Sequence, residues 1–167
     1  WGELQRAAGA TERLVELLQA EDTVPDPSAP VPLPNPVRGE IVFEDVRFAY
    51  PSRPNISALD GVSLTIKAGE TVALVGPSGA GKTTIIQLVQ RFYDPASGRI
   101  LLDGVNIADM TRTEFRQHMA LVPQDPVIFA ASARENIRFG RLTASDAEVE
   151  AAAEAAAAHE FITALPE

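Results

Sequence analysis

Eight consecutive residues, 76–83, constrain this chain more than any other feature of its sequence. They read G-P-S-G-A-G-K-T, and they lie between an apolar run at residues 71–75 and a segment of helical character at residues 84–89. The order of strand, glycine-rich loop and helix is the context in which a phosphate-binding loop operates. The sequence therefore predicts a nucleoside triphosphate site, and the alternative interpretation is a glycine-rich turn without a ligand.

The residue types of the loop suit phosphate chemistry. Glycines allow backbone N–H groups to turn onto phosphate oxygens without interference from a Cβ atom. Lys82 would reach the β- and γ-phosphates, the Thr83 hydroxyl would bind Mg²⁺, and the helix N-terminus adds the positive end of its dipole. The candidate nucleotide-binding residues of the loop are Gly76, Pro77, Ser78, Gly79, Ala80, Gly81, Lys82 and Thr83.

The segment ahead of the loop predicts antiparallel strands. Ile41 and Phe43 would share one face, but the alternation shifts at residues 44–45, which indicates a bulge or two short strands. Residues 62–66 alternate between apolar and polar side chains, as a half-buried strand does.

Further strands and helices are predicted after the loop. Asp103 and Gly104 separate two apolar runs in the manner of a hairpin turn. Residues 119–122 resemble a short buried strand, residues 132–139 a helix, and Ser145 with Glu148 a capping box. The alternation of strands and helices around a phosphate loop indicates an α/β fold with an antiparallel β portion and a parallel core sheet.

Three regions follow one another along the chain. Residues 1–20 have the apolar spacing of an amphipathic helix, which could be a surface helix of the domain or the end of a longer helix from an upstream domain. Residues 21–38 contain six prolines, a composition that excludes a helix and favours an extended linker. The compact domain is therefore predicted over residues 39–167, beginning near Gly39.

Composition excludes several classes of function. The formal net charge of −9 argues against a nucleic-acid-binding surface. The chain has no cysteine, so it can form neither a disulfide nor a thiolate metal site. No window holds the 18 or more consecutive apolar residues of a membrane span.

Five further motifs accompany the phosphate loop: F-A-Y-P at 48–51, R-F-Y-D-P at 91–95, L-L-D-G at 101–104, L-V-P-Q-D at 121–125 and A-R-E-N-I at 133–137. Together with the loop they closely resemble the nucleotide-binding domain of ATP-binding-cassette transporters. The resemblance runs from about residue 39 to residue 167 and is strongest to exporters with membrane and nucleotide-binding domains on one chain. It implies a phosphate-loop NTPase fold, of which this chain would hold the N-terminal part.

The resemblance also assigns roles by position. Tyr50 matches the aromatic residue that stacks on adenine, and Gln124 matches the glutamine that joins the Mg²⁺ shell. The matched loop extends to Thr84. The implied cofactors are ATP and Mg²⁺, and the implied partners are a second nucleotide-binding domain, identical or different, and a transmembrane domain. Residues 1–20 would then be the cytosolic end of the last membrane helix, with the domain at the cytoplasmic face of a membrane.

Other motifs of the same family are not in this sequence. It has no L-S-G-G-Q signature, no apolar strand that ends in Asp-Glu and no switch histidine after such a strand. Because hydrolysis needs a positioned water and stabilised charge, we expect this chain to bind ATP with Mg²⁺ but to hydrolyse it negligibly. The alternatives are a truncated, non-catalytic nucleotide-binding protein and a soluble ATP-binding-cassette ATPase with no transport role. A GTPase is disfavoured because no N-K-x-D motif occurs.

Overall fold

The structure is a computed structural model that describes residues 24–164 together with Thr11, Leu14, Val15 and Leu18. These four residues are helical, and the rest of the amphipathic helix expected over residues 1–20 lies outside the described residues. The chain divides into two compact units, Trp1–Ala120 and Leu121–Glu167. Each unit is described separately below.

An antiparallel sheet forms the framework of the first unit. Its strands are β1 (Ile41–Ala49), β2 (Ser57–Ile66), β3 (Ser97–Leu102) and β4 (Val105–Asn106), in the spatial order β2-β1-β3-β4. All three pairings are antiparallel, so the predicted antiparallel portion is confirmed.

The predicted irregularity in β1 is a bulge. The pairing of β1 with β2 shifts register between Phe43 and Val46, and Asp45 adopts a positive φ of 44°. Because of this extra residue, Phe43, Val46 and Phe48 all face the interior, with exposed fractions of 1%, 0% and 5%. The change of alternation in the sequence therefore marks a real kink that keeps the apolar side chains on one face.

The predicted hairpin joins β3 to β4. Leu101 and Leu102 pair with Asn106 and Val105, which leaves Asp103 and Gly104 as the two turn residues. Both have positive φ, 49° and 83°, as the preferred two-residue hairpin turn requires.

Helix α1 (Lys82–Val89) and the connections after β4 complete the core. A 3₁₀ turn at Ile107–Asp109 and helix α2 (Arg112–Arg116) follow the hairpin. The core combines side chains of three strands with those of α1, the 3₁₀ turn and α2. Its buried members are Phe43, Val46, Phe48, Leu59, Leu88, Ile100, Leu102, Ile107, Met110 and Phe115.

A buried arginine links several of these parts. Arg91, just after α1, is 2% exposed and donates hydrogen bonds from its guanidinium to the carbonyl oxygens of Ile107 (3.2 Å) and Met110 (2.8 Å). It also donates to the carbonyl oxygen of Pro25 (3.0 Å) and to the Asp94 carboxylate (3.0 Å). A buried cation is tolerated only with such partners.

The proline-rich segment contacts the first unit at several points. Residues 24–38 contain neither helix nor strand, as their composition predicts. The side chain of Val24 is buried, the amide of Val31 donates to the carbonyl oxygen of Asp109 (2.7 Å), and the Asp26 carboxylate accepts from Arg112 (2.9 Å). The segment is therefore held against the folded unit at these residues.

The structure does not show the expected parallel strands among the described residues. Residues 71–75 and 119–122 form no strand, and no parallel pairing occurs among the described residues. Val75 is 86% exposed and Val122 is 93% exposed. An apolar run indicates a segment that favours an extended and buried conformation. A strand also needs a neighbouring backbone with which to form hydrogen bonds.

The second unit is helical. It contains α3 (Ala133–Arg138), α4 (Asp146–Ala155) and α5 (His159–Thr163). Helices α3 and α4 both begin with a capping box, formed by Ser132 with Glu135 and by Ser145 with Glu148. The predicted helix near residues 132–139 and the predicted capping box at Ser145 are thus confirmed.

Candidate nucleotide-binding site

The glycine-rich loop leads directly into α1. Gly81 is the N-cap residue, in the left-handed region with φ of 84°. A Cβ atom at this position would lie 2.7 Å from Leu59 Cδ2 and 2.8 Å from the carbonyl oxygen of Ala58. Glycine is therefore required here both by the backbone conformation and by the close approach of β2.

The start of α1 presents backbone amides without a side-chain cap. Gly81 has no side chain with which to accept a hydrogen bond, and no other side chain caps this end. The first N–H groups of a helix have no partner inside the helix, and the helix dipole places partial positive charge at the same point. This end of α1 is therefore suited to an anion, as the sequence predicts.

Lys82 adds a full positive charge to the loop. Its Nζ donates to the carbonyl oxygens of Gly76 (2.9 Å) and Pro77 (2.8 Å), so the ammonium group lies against the loop. These hydrogen bonds hold both ends of the loop near one cation. The ammonium is then available to exchange carbonyl partners for phosphate oxygens.

A cavity of about 390 Å³ opens beside the loop. Its volume lies within the range of small-molecule sites. Its lining combines the loop and the start of α1 with Tyr50 and the turn that leads into β2. The lining residues are Tyr50, Arg53, Ile56, Ser57, Ala58, Ser78, Gly79, Ala80, Gly81, Lys82, Thr83 and Thr84.

Tyr50 follows the last residue of β1 and reaches α1. Its ring packs in T-shaped contacts with Phe48 (centroids 5.0 Å apart) and Tyr93 (5.5 Å). Its hydroxyl lies 2.9 Å from Thr84 Oγ1 and donates to Gln87 Oε1 at 2.6 Å. The structure thus brings Tyr50 and the phosphate loop to one cavity, although they are separated in the sequence.

Thr83 and Gln124 are the two residues predicted to bind Mg²⁺. Thr83 lines the cavity and is exposed. Gln124 belongs to the second unit, where it lies exposed in a bend. Among the described residues no cluster of three or more histidine, cysteine, aspartate or glutamate side chains could hold a metal ion.

The residues around the cavity fit a nucleoside triphosphate. The amides at the start of α1 and the Lys82 ammonium match phosphate oxygens, and Tyr50 offers an aromatic platform for a base. Mg²⁺ is commonly held by few protein ligands and by substrate phosphates, so a single threonine hydroxyl in this cavity is compatible with it.

Sequence reasoning missed Arg53, Ile56 and Gln87. Arg53 and Ile56 line the cavity from the turn before β2, and Gln87 bonds to Tyr50 from α1. The available signal for Gln87 was its position one helical turn after Thr84, which places both side chains on the same face of α1. No sequence pattern indicated that the 53–56 turn would fold over the loop.

The loop, the helix N-terminus and the aromatic residue at one cavity define a nucleotide-binding domain of the phosphate-loop class. The family model of the ABC transporter, the ATP-binding cassette, matches residues 59–166. This chain therefore belongs to the ABC transporter family, and the family resemblance inferred from its motifs is confirmed.

Two similar relatives are named as members of the B family or sub-family B. ABC transporter B family member 1 of Arabidopsis thaliana is 45% identical over 159 residues, which are 95% of this chain and 12% of that protein. ATP-binding cassette sub-family B member 6 of Mus musculus is 48% identical over 159 residues, which are 93% of this chain and 18% of that protein. The chain thus spans less than a fifth of the length of either relative.

A solved structure shares the fold. The structure of a bacterial Atm1-family ABC exporter with ATP bound has a TM-score of 0.81 and 43% sequence identity to this chain. The match covers 97% of this chain and 28% of that chain.

Proposed function

We propose that this chain is the ATP-binding part of an ABC exporter, which couples ATP binding and hydrolysis to transport across a membrane. The observation that carries the proposal is the single cavity lined by Tyr50, the phosphate loop and the start of α1. The B-family and Atm1-family relatives support the exporter class.

We propose a task for each predicted residue. The backbone of residues 76–84 binds the phosphates, with Lys82 as their counter-charge, and Tyr50 stacks on the adenine ring. Thr83 would provide an oxygen ligand for Mg²⁺, which would neutralise phosphate charge when bound, and Gln124 is proposed as a ligand on the family resemblance alone. The adenine platform and the phosphate loop are then parts of one binding surface.

Binding without turnover is the activity proposed for the 167-residue chain. The twelve residues that line the cavity include no aspartate or glutamate. Hydrolysis requires a group that orients the attacking water in line with the transferred phosphoryl group. With no carboxylate among these twelve residues to polarise the water, we expect the site to bind the triphosphate and to hydrolyse it negligibly.

The partners proposed for this domain are a second nucleotide-binding domain and the transmembrane domain of the same transporter, at the cytoplasmic face of a membrane. No helix of the part that the structure describes is long and apolar enough to span a bilayer. Parallel pairing of residues 71–75 and 119–122 is proposed for the longer proteins of this family, in which these apolar segments would be central strands.

Calorimetric titration of the chain with ATP and Mg²⁺ tests the proposal. Lys82→Ala should weaken binding about 10- to 100-fold, since hydrogen bonds to charged groups contribute about 1.5–3 kcal/mol. Lys67→Ala is the matched control, because Lys67 is an exposed lysine of the same unit that does not line the cavity. Equal affinity of the wild type and the Lys82 variant would refute the proposal.

A steady-state phosphate-release assay tests the absence of turnover. We expect no release above the background of the Lys82→Ala variant. Turnover that this substitution abolishes would show that the chain is itself an ATPase.

A further inference from the structure

The Tyr50 hydroxyl lies between two side chains of α1, and the three groups form a directed chain of hydrogen bonds. A tyrosine hydroxyl has one proton to donate. That proton is used in the bond to Gln87 Oε1 at 2.6 Å, so in the 2.9 Å contact with Thr84 the threonine hydroxyl is the donor. The order of donation is Thr84 to Tyr50 to Gln87.

We propose that Gln87 is a positioning residue for the Tyr50 ring, and that the Thr84 hydroxyl serves Tyr50 instead of the ligand. This inference rests on the proposed function, in which the Tyr50 ring stacks on adenine. Gln87 does not line the cavity itself, so it acts on the nucleotide only through Tyr50. It is therefore distinct from the residues that contact phosphate.

The burial of the three groups supports this role. Thr84 is 5% exposed, and Tyr50 and Gln87 are half-buried. In such surroundings a hydrogen bond is stronger than in water, and a partner left unpaired is costly. The hydroxyl chain thus holds the outer end of the ring, whereas Phe48 and Tyr93 hold the ring itself through T-shaped contacts.

The tether also joins the two halves of the site. Thr84 and Gln87 belong to α1, the helix that begins at the phosphate loop, whereas Tyr50 follows β1. Fixing the ring to α1 therefore sets its distance from the loop. A ring that is placed before the ligand arrives increases affinity because less ordering remains to be done on binding.

The proposal predicts that loss of Gln87 weakens binding of the adenine base but not binding of the phosphates. Gln87→Leu removes the acceptor and should weaken ATP binding about three- to tenfold, the equivalent of one net hydrogen bond. Binding of inorganic triphosphate with Mg²⁺ should not change, because Gln87 acts through Tyr50 alone. Gln87→Glu retains an acceptor oxygen and should keep most of the ATP affinity.

A double-mutant cycle separates positioning from a general structural role. In a Tyr50→Phe background there is no hydroxyl to hold, so Gln87→Leu should have no further effect on ATP affinity. Gln117→Leu is the matched control, because it makes the same change at an exposed glutamine of the same unit. An equal loss for ATP and triphosphate, or a Gln87→Leu effect that persists with Phe at position 50, would overturn the inference.

The four proteins of this cycle are the wild type, Tyr50→Phe, Gln87→Leu and the double variant, and they give a second test that needs no ligand. Urea unfolding should show that Tyr50→Phe and Gln87→Leu are non-additive, because both remove the same hydrogen bond. Strict additivity overturns the positioning role, whether or not nucleotide binds. Failure of the wild type to bind either ATP or triphosphate would instead refute the proposed function, so the two failures are distinguishable.

Discussion

Strand β1 and the apolar run at residues 71–75 lie in the same unit, yet the fold treats them in opposite ways. Val46 in β1 is 0% exposed, whereas Val75 is 86% exposed. β1 has a neighbour on each side, β2 and β3, and residues 71–75 have none. The comparison teaches that burial of an apolar segment depends on its pairing partners as much as on its composition.

The two kinds of pairing differ in what they require. Antiparallel neighbours can be joined by short turns, as the two-residue β3–β4 connection shows. Parallel neighbours need a crossover of a dozen or more residues and a sheet covered on both faces. Two of the three antiparallel pairings of this chain join consecutive strands, whereas β1 and β3 pair across β2, the phosphate loop and α1. The following predictions test how far stability is concentrated in this sheet.

The largest effect is expected in the sheet core. Phe43 in β1 is 1% exposed, so Phe43→Ala should reduce the free energy of unfolding by about 3–5 kcal/mol. Urea titration followed by circular dichroism measures this loss. Phe161→Ala, at a side chain that is 65% exposed, is the control and should have little effect. Similar costs for both variants would contradict a core centred on the sheet.

A smaller effect is expected where β3 begins beneath the bulge of β1. Gly98 has φ of 80°, and an added Cβ would overlap the carbonyl oxygens of Glu44 and Asp45. Gly98→Ala should cost about 2–4 kcal/mol, from backbone strain and overpacking together.

Gly104→Ala is the matched control for this prediction. Gly104 has a similar φ of 83° but no atom within 4 Å of an added Cβ, so about 1–2 kcal/mol of backbone strain is expected. Equal thermal stabilities of the two variants would show that the bulge yields without cost.

A pH-dependent effect is expected at the β3–β4 turn. Two effects act on the pKa of Asp103. Partial burial raises it, but the amides of Arg38, Glu40 and Gly39 donate hydrogen bonds to the carboxylate and lower it by more, so the net pKa lies below the ordinary 3.8. A lowered folded-state pKa gives stability that is present above 3.8 and is lost as the pH falls through the folded-state value.

Asp103→Asn tests this contribution. It should cost about 1 kcal/mol at neutral pH and flatten the acid side of the stability profile. Asparagine tolerates the positive φ of this position, so the turn itself is kept. Urea unfolding measured between neutral pH and strongly acidic pH provides the comparison. If the loss of stability at acidic pH is the same in the variant as in the wild type, Asp103 does not contribute to it.

The smallest effect is expected in the unpaired segment itself. Val75→Ala should change the free energy of unfolding by less than about 0.5 kcal/mol, as exposed substitutions do. The same change at Val46 removes two fully buried methyl groups and should cost about 1.5–3 kcal/mol. The difference in unfolding free energy between these two variants measures how much more the paired strand contributes than the unpaired segment. A large cost at Val75 would show that the unpaired segment is also part of the stable core.

Features that depend on local chemistry were predictable from the sequence. The Asp103–Gly104 turn, the shift at residues 44–45 and the Ser145 capping box each use neighbouring residues whose types already carry the geometry. The phosphate loop belongs to the same class, since its glycines and Lys82 lie within one short segment. Its position beside Tyr50 required the family resemblance, because no local rule brings the end of β1 to α1.

Features that depend on distant partners were not predictable. Arginine is usually found at the surface, yet Arg91 is buried among carbonyl groups of two segments that are distant in sequence, the proline-rich segment at Pro25 and the turn from Ile107 to Met110. Gln87 is one polar residue among several on α1 until Tyr50 reaches it. The strands expected at residues 71–75 and 119–122 are not formed in the described structure, for the related reason that an apolar pattern does not determine which segment will pair with it.

The contacts of Arg91 also define how force would travel through this domain. A pull on the chain ahead of Val24 would reach the carbonyl of Pro25 first, and from there the Arg91 guanidinium and the core carbonyls of Ile107 and Met110. The contact at Pro25 precedes β1 in the chain, since β1 starts only at Ile41. The buried guanidinium therefore connects the segment before β1 directly to the chain that follows β4.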